Sequence, residues 1–258
     1  MIDVGRAATT FADLRRESES RMLVGVTAYD YPTAQLCAAA ELDLLLVGDS
    51  IGPLLLGIPE EDVSLATMVA HAAAVRRGSG NVPVVVDIPL RNSQRADGAI
   101  AAAEQLVGSG GADLVKVEVR PGREETVEAL VRSDLPVVAH LDGRWPEWSE
   151  EVSIVRTAES CRDLGAAGLV LVHTKPEVNT RVMDDLGGEV LIWRHGPQGA
   201  CHGILASLPE LVGLTPGDVE RFLAERTTSG MAGFTSTIYE LLRSLRDSSA
   251  QGRGEGAQ

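Results

Sequence analysis

Polar residues able to do chemistry close one apolar run after another along this chain. Gly48-Asp49-Ser50 follows Leu44–Val47, Asp87 follows Val82–Val86, His140 follows Pro136–Ala139 and His173 follows Leu169–Val172. Lys116 and Glu118 sit inside a further run, Leu114–Val119. Strand side chains alternate between faces, so Lys116 and Glu118 share one face while Val115, Val117 and Val119 share the other. A cation and a carboxylate within an apolar strand are costly to bury unless paired or metal-bound. Lysine is also scarce: Lys116 and Lys175 are the only lysines among 23 basic residues. A compact ammonium whose pKa responds to its surroundings suits chemistry here; a structural ion pair is the competing reading.

A single Asp after a strand is often a cap or turn residue, but five consecutive runs carrying such groups point to convergence. Asp49, Asp87 and Glu118 in one pocket would repel strongly without a cation between them. With no CxxC or HExxH pattern, a carboxylate set suits a hard divalent ion, Mg²⁺ or Mn²⁺. Mg²⁺ keeps open positions for the carboxylate and keto oxygens of a 2-oxoacid, which polarises the ketone and stabilises its enolate. In that arrangement Lys116 adds charge stabilisation, His140 hydrogen-bonds the same oxygen, and Ser50 with its backbone amide holds the carboxylate. Asp87 then lies beside both ion and substrate.

The elements that would position these groups follow a β-then-α rhythm. Apolar, β-branched runs at Met22–Thr27, Leu44–Val47, Val82–Val86, Leu114–Val119, Pro136–Ala139, Leu169–Val172 and Val190–Trp193 read as strands, with Gly203–Ala206 a weaker eighth. Helical patterns lie between them at Pro32–Ala40, Leu65–Arg77, Asp97–Val107, Glu124–Val131, Glu150–Leu164 and Glu177–Leu186. Strands apolar on both faces suit a parallel sheet covered by helices. The spacing and the chain length predict a (β/α)₈ TIM barrel, whose active site lies at the C-terminal ends of the strands. An open doubly wound sheet is the alternative, but no GxGxxG follows the first strand. Thr10 is read as an N-cap for a short lead-in helix through Ser18. Leu214–Leu245 reads as two extra C-terminal helices, opened at Thr215-Pro216. The single barrel domain would then occupy residues 1–246, followed by a disordered tail at 247–258.

Composition excludes several partners. A net charge of −14 lacks the basic footprint that nucleic acid needs. No apolar run reaches membrane-spanning length, and the N-terminal stretch has no apolar signal core. Three cysteines, Cys37, Cys161 and Cys201, without a CxxC pair fit a reducing cytoplasm. His71 lies in an Ala-rich helical run and reads as packing; Cys201 also reads as packing. His195 and His202 have no spacing that supports a site.

The motifs resemble the ketopantoate hydroxymethyltransferase family, of the phosphoenolpyruvate mutase/isocitrate lyase superfamily. The resemblance runs from Thr10 to about Leu245 and is carried by Thr27-Ala28-Tyr29-Asp30-Tyr31, Leu46-Val47-Gly48-Asp49-Ser50-Ile51-Gly52, His71–Gly78, Val86-Asp87-Ile88-Pro89 and Val115-Lys116-Val117-Glu118. It implies Asp49, Asp87 and Glu118 around Mg²⁺, with Ser50, Lys116 and His140 at the substrate. It also implies transfer of a hydroxymethyl group from 5,10-methylenetetrahydrofolate to a 2-oxoacid enolate, and a ring-like homo-oligomer.

The second half departs from the pattern. Where the family reads Gly-His-(Leu/Ile)-Gly-Leu-Thr-Pro-Gln, this chain has Ala139-His140-Leu141-Asp142-Gly143-Arg144-Trp145-Pro146. The family's proposed general base, a Glu after the sixth strand, is replaced by His173 in Val172-His173-Thr174-Lys175-Pro176. A histidine still takes a proton near neutral pH, so His173 is the candidate base. The loop after the seventh strand is altered too, and its Arg194 is a candidate for pairing with a second carboxylate or phosphate of the substrate. These changes weigh against folate and against 3-methyl-2-oxobutanoate as substrate, and leave the metal–enolate half intact. Three expectations follow: an aldol-type hydroxymethyltransferase, a carbon–carbon lyase or hydrolase acting on a 2-oxoacid, or a ligand-binding relative without catalysis.

Overall fold

In the computed structural model, residues 4–144, 151–195 and 200–207 are described. Eight parallel strands close a barrel in sequence order, with β8 returning to pair β1. They are β1 (Leu23–Thr27), β2 (Leu44–Val47), β3 (Val84–Asp87), β4 (Leu114–Glu118), β5 (Val137–Asp142), β6 (Gly168–Val172), β7 (Leu191–His195) and β8 (Gly203–Ser207). The helices are α1 (Val4–Ser18), α2 (Tyr31–Ala39), α3 (Leu65–Gly78), the single turn α4 (Leu90–Ser93), α5 (Ala96–Gly108), α6 (Glu125–Arg132), α7 (Glu151–Asp163) and α8 (Pro176–Leu186). The expected (β/α)₈ TIM barrel is therefore the observed fold.

Local chemistry explains several boundaries. Asp30 caps α2 by accepting from Thr33 N at 2.8 Å, and Pro32 lies in the first turn, where a missing N–H costs nothing. Ser64 caps α3 by accepting from Thr67 N at 3.1 Å. Two boundaries differ from the sequence reading. Helix α1 starts at Val4, so Thr10 lies inside it rather than capping it. Strand β5 runs past His140 to Asp142, because Leu141 is fully buried on the outer face and keeps the alternation going. The expected C-terminal helices and tail lie outside the described residues.

The period of two divides the core into two clusters. Leu45, Val47, Val86, Val115, Val117, Ala139, Leu169 and Ile192 face the helices. Leu23, Leu44, Leu46, Val85, Leu114, Val138, Val170, Leu191, Trp193 and Leu205 fill the barrel, with Phe11 and Leu14 of α1 joining them. Trp193 is fully buried, and the glycines opposite it are what admit the indole: a Cβ on Gly203 would stand 2.5 Å from its ring and one on Gly25 3.2 Å. This filled interior is a floor rather than a pore. Above it, the same parity turns Asp87, Lys116, Glu118, His140 and Asp142 inward.

Candidate active site

The inward polar residues open into a cavity of about 490 Å³ at the C-terminal end of the barrel. Asp49, Ser50, Asp87, Lys116, Glu118, His140 and His173, all anticipated from sequence, line it. Arg194 does not. It follows the inward Trp193 by one residue and so turns to the helix-facing side, where its Nε donates to Cys201 Sγ at 3.1 Å. The expectation that Arg194 contacts substrate is corrected on that ground. His195, the next residue, lines the cavity instead. His202 is structural: its buried Nδ1 accepts from Ile192 N at 2.9 Å. His71 anchors α3 to the β1–α2 turn through a 2.5 Å contact between Nδ1 and the Tyr29 carbonyl.

On the β2–β4 side the geometry centres on Lys116, 7% exposed, with Nζ 3.0 Å from Asp87 Oδ1. Asp87 Oδ2 accepts from Asp49 N at 3.2 Å, which ties the turn after β2 to β3. Burial pushes the Asp87 carboxyl up to about 7, with Lys116 drawing it back and Asp49 adding to the rise. Burial by itself would depress the Lys116 ammonium, yet the carboxylates of Asp87, Asp49 and Glu118 hold its pKa above the ordinary lysine value. Burial likewise raises Glu118 to about 6, against the pull of Lys116 and Arg120. Ser50 Oγ is held 2.8 Å from the Tyr29 hydroxyl.

Two histidines sit under opposite influences. Lys116 Nζ lies 3.3 Å from His140 Nδ1. Because the ammonium has only protons to offer, Nδ1 is the acceptor and Nε2 carries the hydrogen. Burial, then the Lys116 charge, hold the His140 pKa well below the usual histidine value, so the ring is neutral. Its Nε2 is buried and has no hydrogen-bond partner among the described residues. Among those residues it is a donor lacking an acceptor.

His173 instead has Nδ1 3.1 Å from Asp142 Oδ1. Asp142 was not anticipated as a site residue, nor were Arg144 and Glu60, which also line the cavity. The signal for Asp142 was parity: it stands two residues after His140 on the same strand face. Glu60 opens a short 3₁₀ turn, Glu60–Asp62, after β2 that no sequence periodicity marks, and burial raises its pKa.

The donor chemistry fits a hard divalent cation. Glu118 Oε1 is buried with no hydrogen-bond partner among the described residues, and burial makes both Asp87 and Glu118 costly to ionise without added positive charge. Among the described residues no three His, Cys, Asp or Glu side chains are drawn together closely enough to grip an ion directly. The three acids thus share a cavity without forming a closed cage. That suits Mg²⁺, which is commonly held by one or two carboxylates and keeps several waters. No helix among the described residues is long and apolar enough to cross a membrane.

Comparison with known proteins identifies related sequences and a shared fold. A sequence profile for ketopantoate hydroxymethyltransferase matches residues 8–238. The 3-methyl-2-oxobutanoate hydroxymethyltransferase of Hyperthermus butylicus is 34% identical over 229 residues, spanning 82% of this chain and 78% of that protein. The protein named 3-methyl-2-oxobutanoate hydroxymethyltransferase 1 in Pseudomonas aeruginosa is 35% identical over 228 residues, 82% of each chain. Among solved structures, phosphonopyruvate hydrolase in complex with oxalate and Mg²⁺ aligns at a TM-score of 0.69 and 15% identity, covering 96% of this chain and 98% of that one. The phosphoenolpyruvate mutase/isocitrate lyase superfamily member 2,3-dimethylmalate lyase, in its triclinic form, aligns at 0.64 and 18% identity, covering 90% and 94%. At these identities the structural likeness concerns the fold.

Proposed function

The chain belongs to the ketopantoate hydroxymethyltransferase family, and from that premise we propose that it forms the enolate of a 2-oxoacid and adds a one-carbon or aldehyde unit to it. The observation that carries this reading is one cavity that holds three carboxylates, a buried ammonium and a neutral imidazole whose N–H has no partner among the described residues.

Asp49, Asp87 and Glu118 would hold Mg²⁺, directly or through water. When bound, the ion would polarise the keto group and offset charge developing on its oxygen. The rest belongs to the protein. Ser50, whose Oγ lies 2.8 Å from the Tyr29 hydroxyl, holds the substrate carboxylate in this reading. The Lys116 ammonium lowers the free energy of an anionic oxygen formed beside it. His140 donates from Nε2 to that oxygen, a bond that strengthens as negative charge accumulates. His173, exposed at the mouth, removes the proton from the carbon next to the ketone. The active species is proposed to be a homo-oligomer, and 5,10-methylenetetrahydrofolate the first one-carbon donor to test.

The decisive experiment is exchange of the C3 proton of 3-methyl-2-oxobutanoate in D₂O, followed by NMR with and without Mg²⁺. Mg²⁺-dependent exchange is expected, and hydroxymethyl transfer on adding 5,10-methylenetetrahydrofolate. Absence of exchange across a panel of 2-oxoacids would sink the proposal. Exchange followed by carbon–carbon cleavage of a larger 2-oxoacid, with no transfer, would reassign the chemistry to a lyase.

A further inference from the structure

We infer that Asp142 is a positioning residue: it fixes the His173 ring in the Nδ1–H tautomer and leaves Nε2 as the basic nitrogen. The inference rests on the reading of His173 as the base and adds how that ring is made competent.

Asp142 ends β5 with its side chain inside the barrel and only 3% of the residue exposed. Burial by itself would raise its pKa, but Arg144 outweighs that and holds the carboxyl below the ordinary aspartate range. The Arg144 backbone N–H donates to Oδ1 at 2.9 Å and the guanidinium to Oδ2 at 2.7 Å. An ionised carboxylate can only accept hydrogen bonds, so the His173 nitrogen 3.1 Å from Oδ1 must be the one that carries hydrogen. In the neutral ring the second nitrogen then carries the lone pair.

The backbone is built around this contact. Gly143 N donates to Val172 O at 2.8 Å, which joins the turn after β5 to the end of β6. A Cβ on Gly143 would stand 2.4 Å from the His173 carbonyl oxygen, so glycine is required for the approach. His173 itself has φ +50°, a left-handed conformation that a non-glycine residue adopts at a cost. That conformation falls at the residue whose ring meets Asp142, three residues before α8 begins.

In the step this serves, the C–H bond next to the ketone breaks and its electron pair moves into the carbonyl to give the enolate. The proton goes to His173 Nε2. The ring becomes an imidazolium with both nitrogens protonated, and the Asp142 carboxylate stabilises it until the proton leaves to solvent.

The test compares wild type, Asp142→Asn and His173→Ala in the full chain with Mg²⁺ and 3-methyl-2-oxobutanoate in D₂O. Asp142→Asn is expected to lower kcat for exchange by about 10²-fold or more, with KM changed less than about twofold, and Asp142→Glu to recover part of the loss. ¹⁵N spectra of histidine-labelled wild type should show His173 protonated at Nδ1, and Asp142→Asn should lose that signature. If His173→Ala slows exchange and Asp142→Asn does not, Asp142 is not the positioning residue. Should His173→Ala exchange as fast as wild type, the assignment of the base itself fails. Wild-type spectra with His173 protonated at Nε2 overturn the inference even if the Asp142 variants do not fold.

Discussion

The two halves of the cavity wall solve the problem of a buried charge in different ways. From β2 to β4 the wall is acidic, and Lys116 stands among Asp87, Asp49 and Glu118. From β5 to β7 it carries His140, His173 and His195, with Asp142 held by Arg144. His140 and His173 mark the boundary. A cation beside Nδ1 leaves the hydrogen of the neutral His140 ring on Nε2, whereas a carboxylate beside Nδ1 draws the hydrogen of His173 to Nδ1. One side-chain type thus takes two roles according to the sign of its neighbour. The acidic wall is also the half whose motifs match the family pattern, and the histidine wall is the half that departs from it. The two departures from the family pattern noted above, Asp142 and His173, meet in one contact of 3.1 Å.

The largest effect should come from breaking the acidic wall. Asp87→Ala leaves the buried Lys116 without its nearest counter-ion, and should cost about 3–5 kcal/mol in chemical denaturation while abolishing Mg²⁺-dependent exchange. Retention of exchange would remove Asp87 from the site. On the other wall, His173→Ala should lower exchange about 10²–10⁴-fold and leave the Mg²⁺-induced rise in melting temperature intact, because His173 is no part of the acidic set. Loss of that rise would merge the two walls into one unit. Gly143→Ala should cost about 1–3 kcal/mol by overpacking and slow exchange in parallel, since its methyl pushes the two turns apart.

The smallest effect is a pH dependence specific to the acidic wall. Glu118 has its pKa raised from 4.5 to about 6, chiefly by burial. The native state therefore holds that proton more tightly than the unfolded chain does, so its contribution is present at low pH and is lost as pH rises through about 6. Mg²⁺ needs the ionised form, so its stabilising effect should grow over the same interval. Melts at several pH values with and without Mg²⁺ measure both trends. An increment by Mg²⁺ that does not vary with pH would argue that Glu118 is not a ligand.

Much of the fold was legible because its signals are local. Apolar runs of strand length alternate with helical patterns, and every strand expected is present, including the weak Gly203–Ala206 run, which forms Gly203–Ser207. The acid and lysine positions were legible for the same reason, since each closes or occupies a run. Arg194 was misassigned by a single residue, and strand parity separates it from His195 without any tertiary information. Asp142 was hidden by ending the fifth strand at His140; one more inward–outward cycle brings it into the cavity. Glu60 had no comparable signal, because its segment has no period to read.

By itself the sequence determined the barrel, its order and which side chains point inward, since a two-residue repeat is a property of each strand taken alone. Only the tertiary structure decided which inward groups meet. Asp142 and His173 lie 31 residues apart, and their contact depends on the register that sets Asp142 beside Val172 and on a left-handed turn at the next residue. The opposite tautomers of the two histidines follow from such contacts, because the sign of a neighbouring charge is set by packing across strands and not by anything written within one of them.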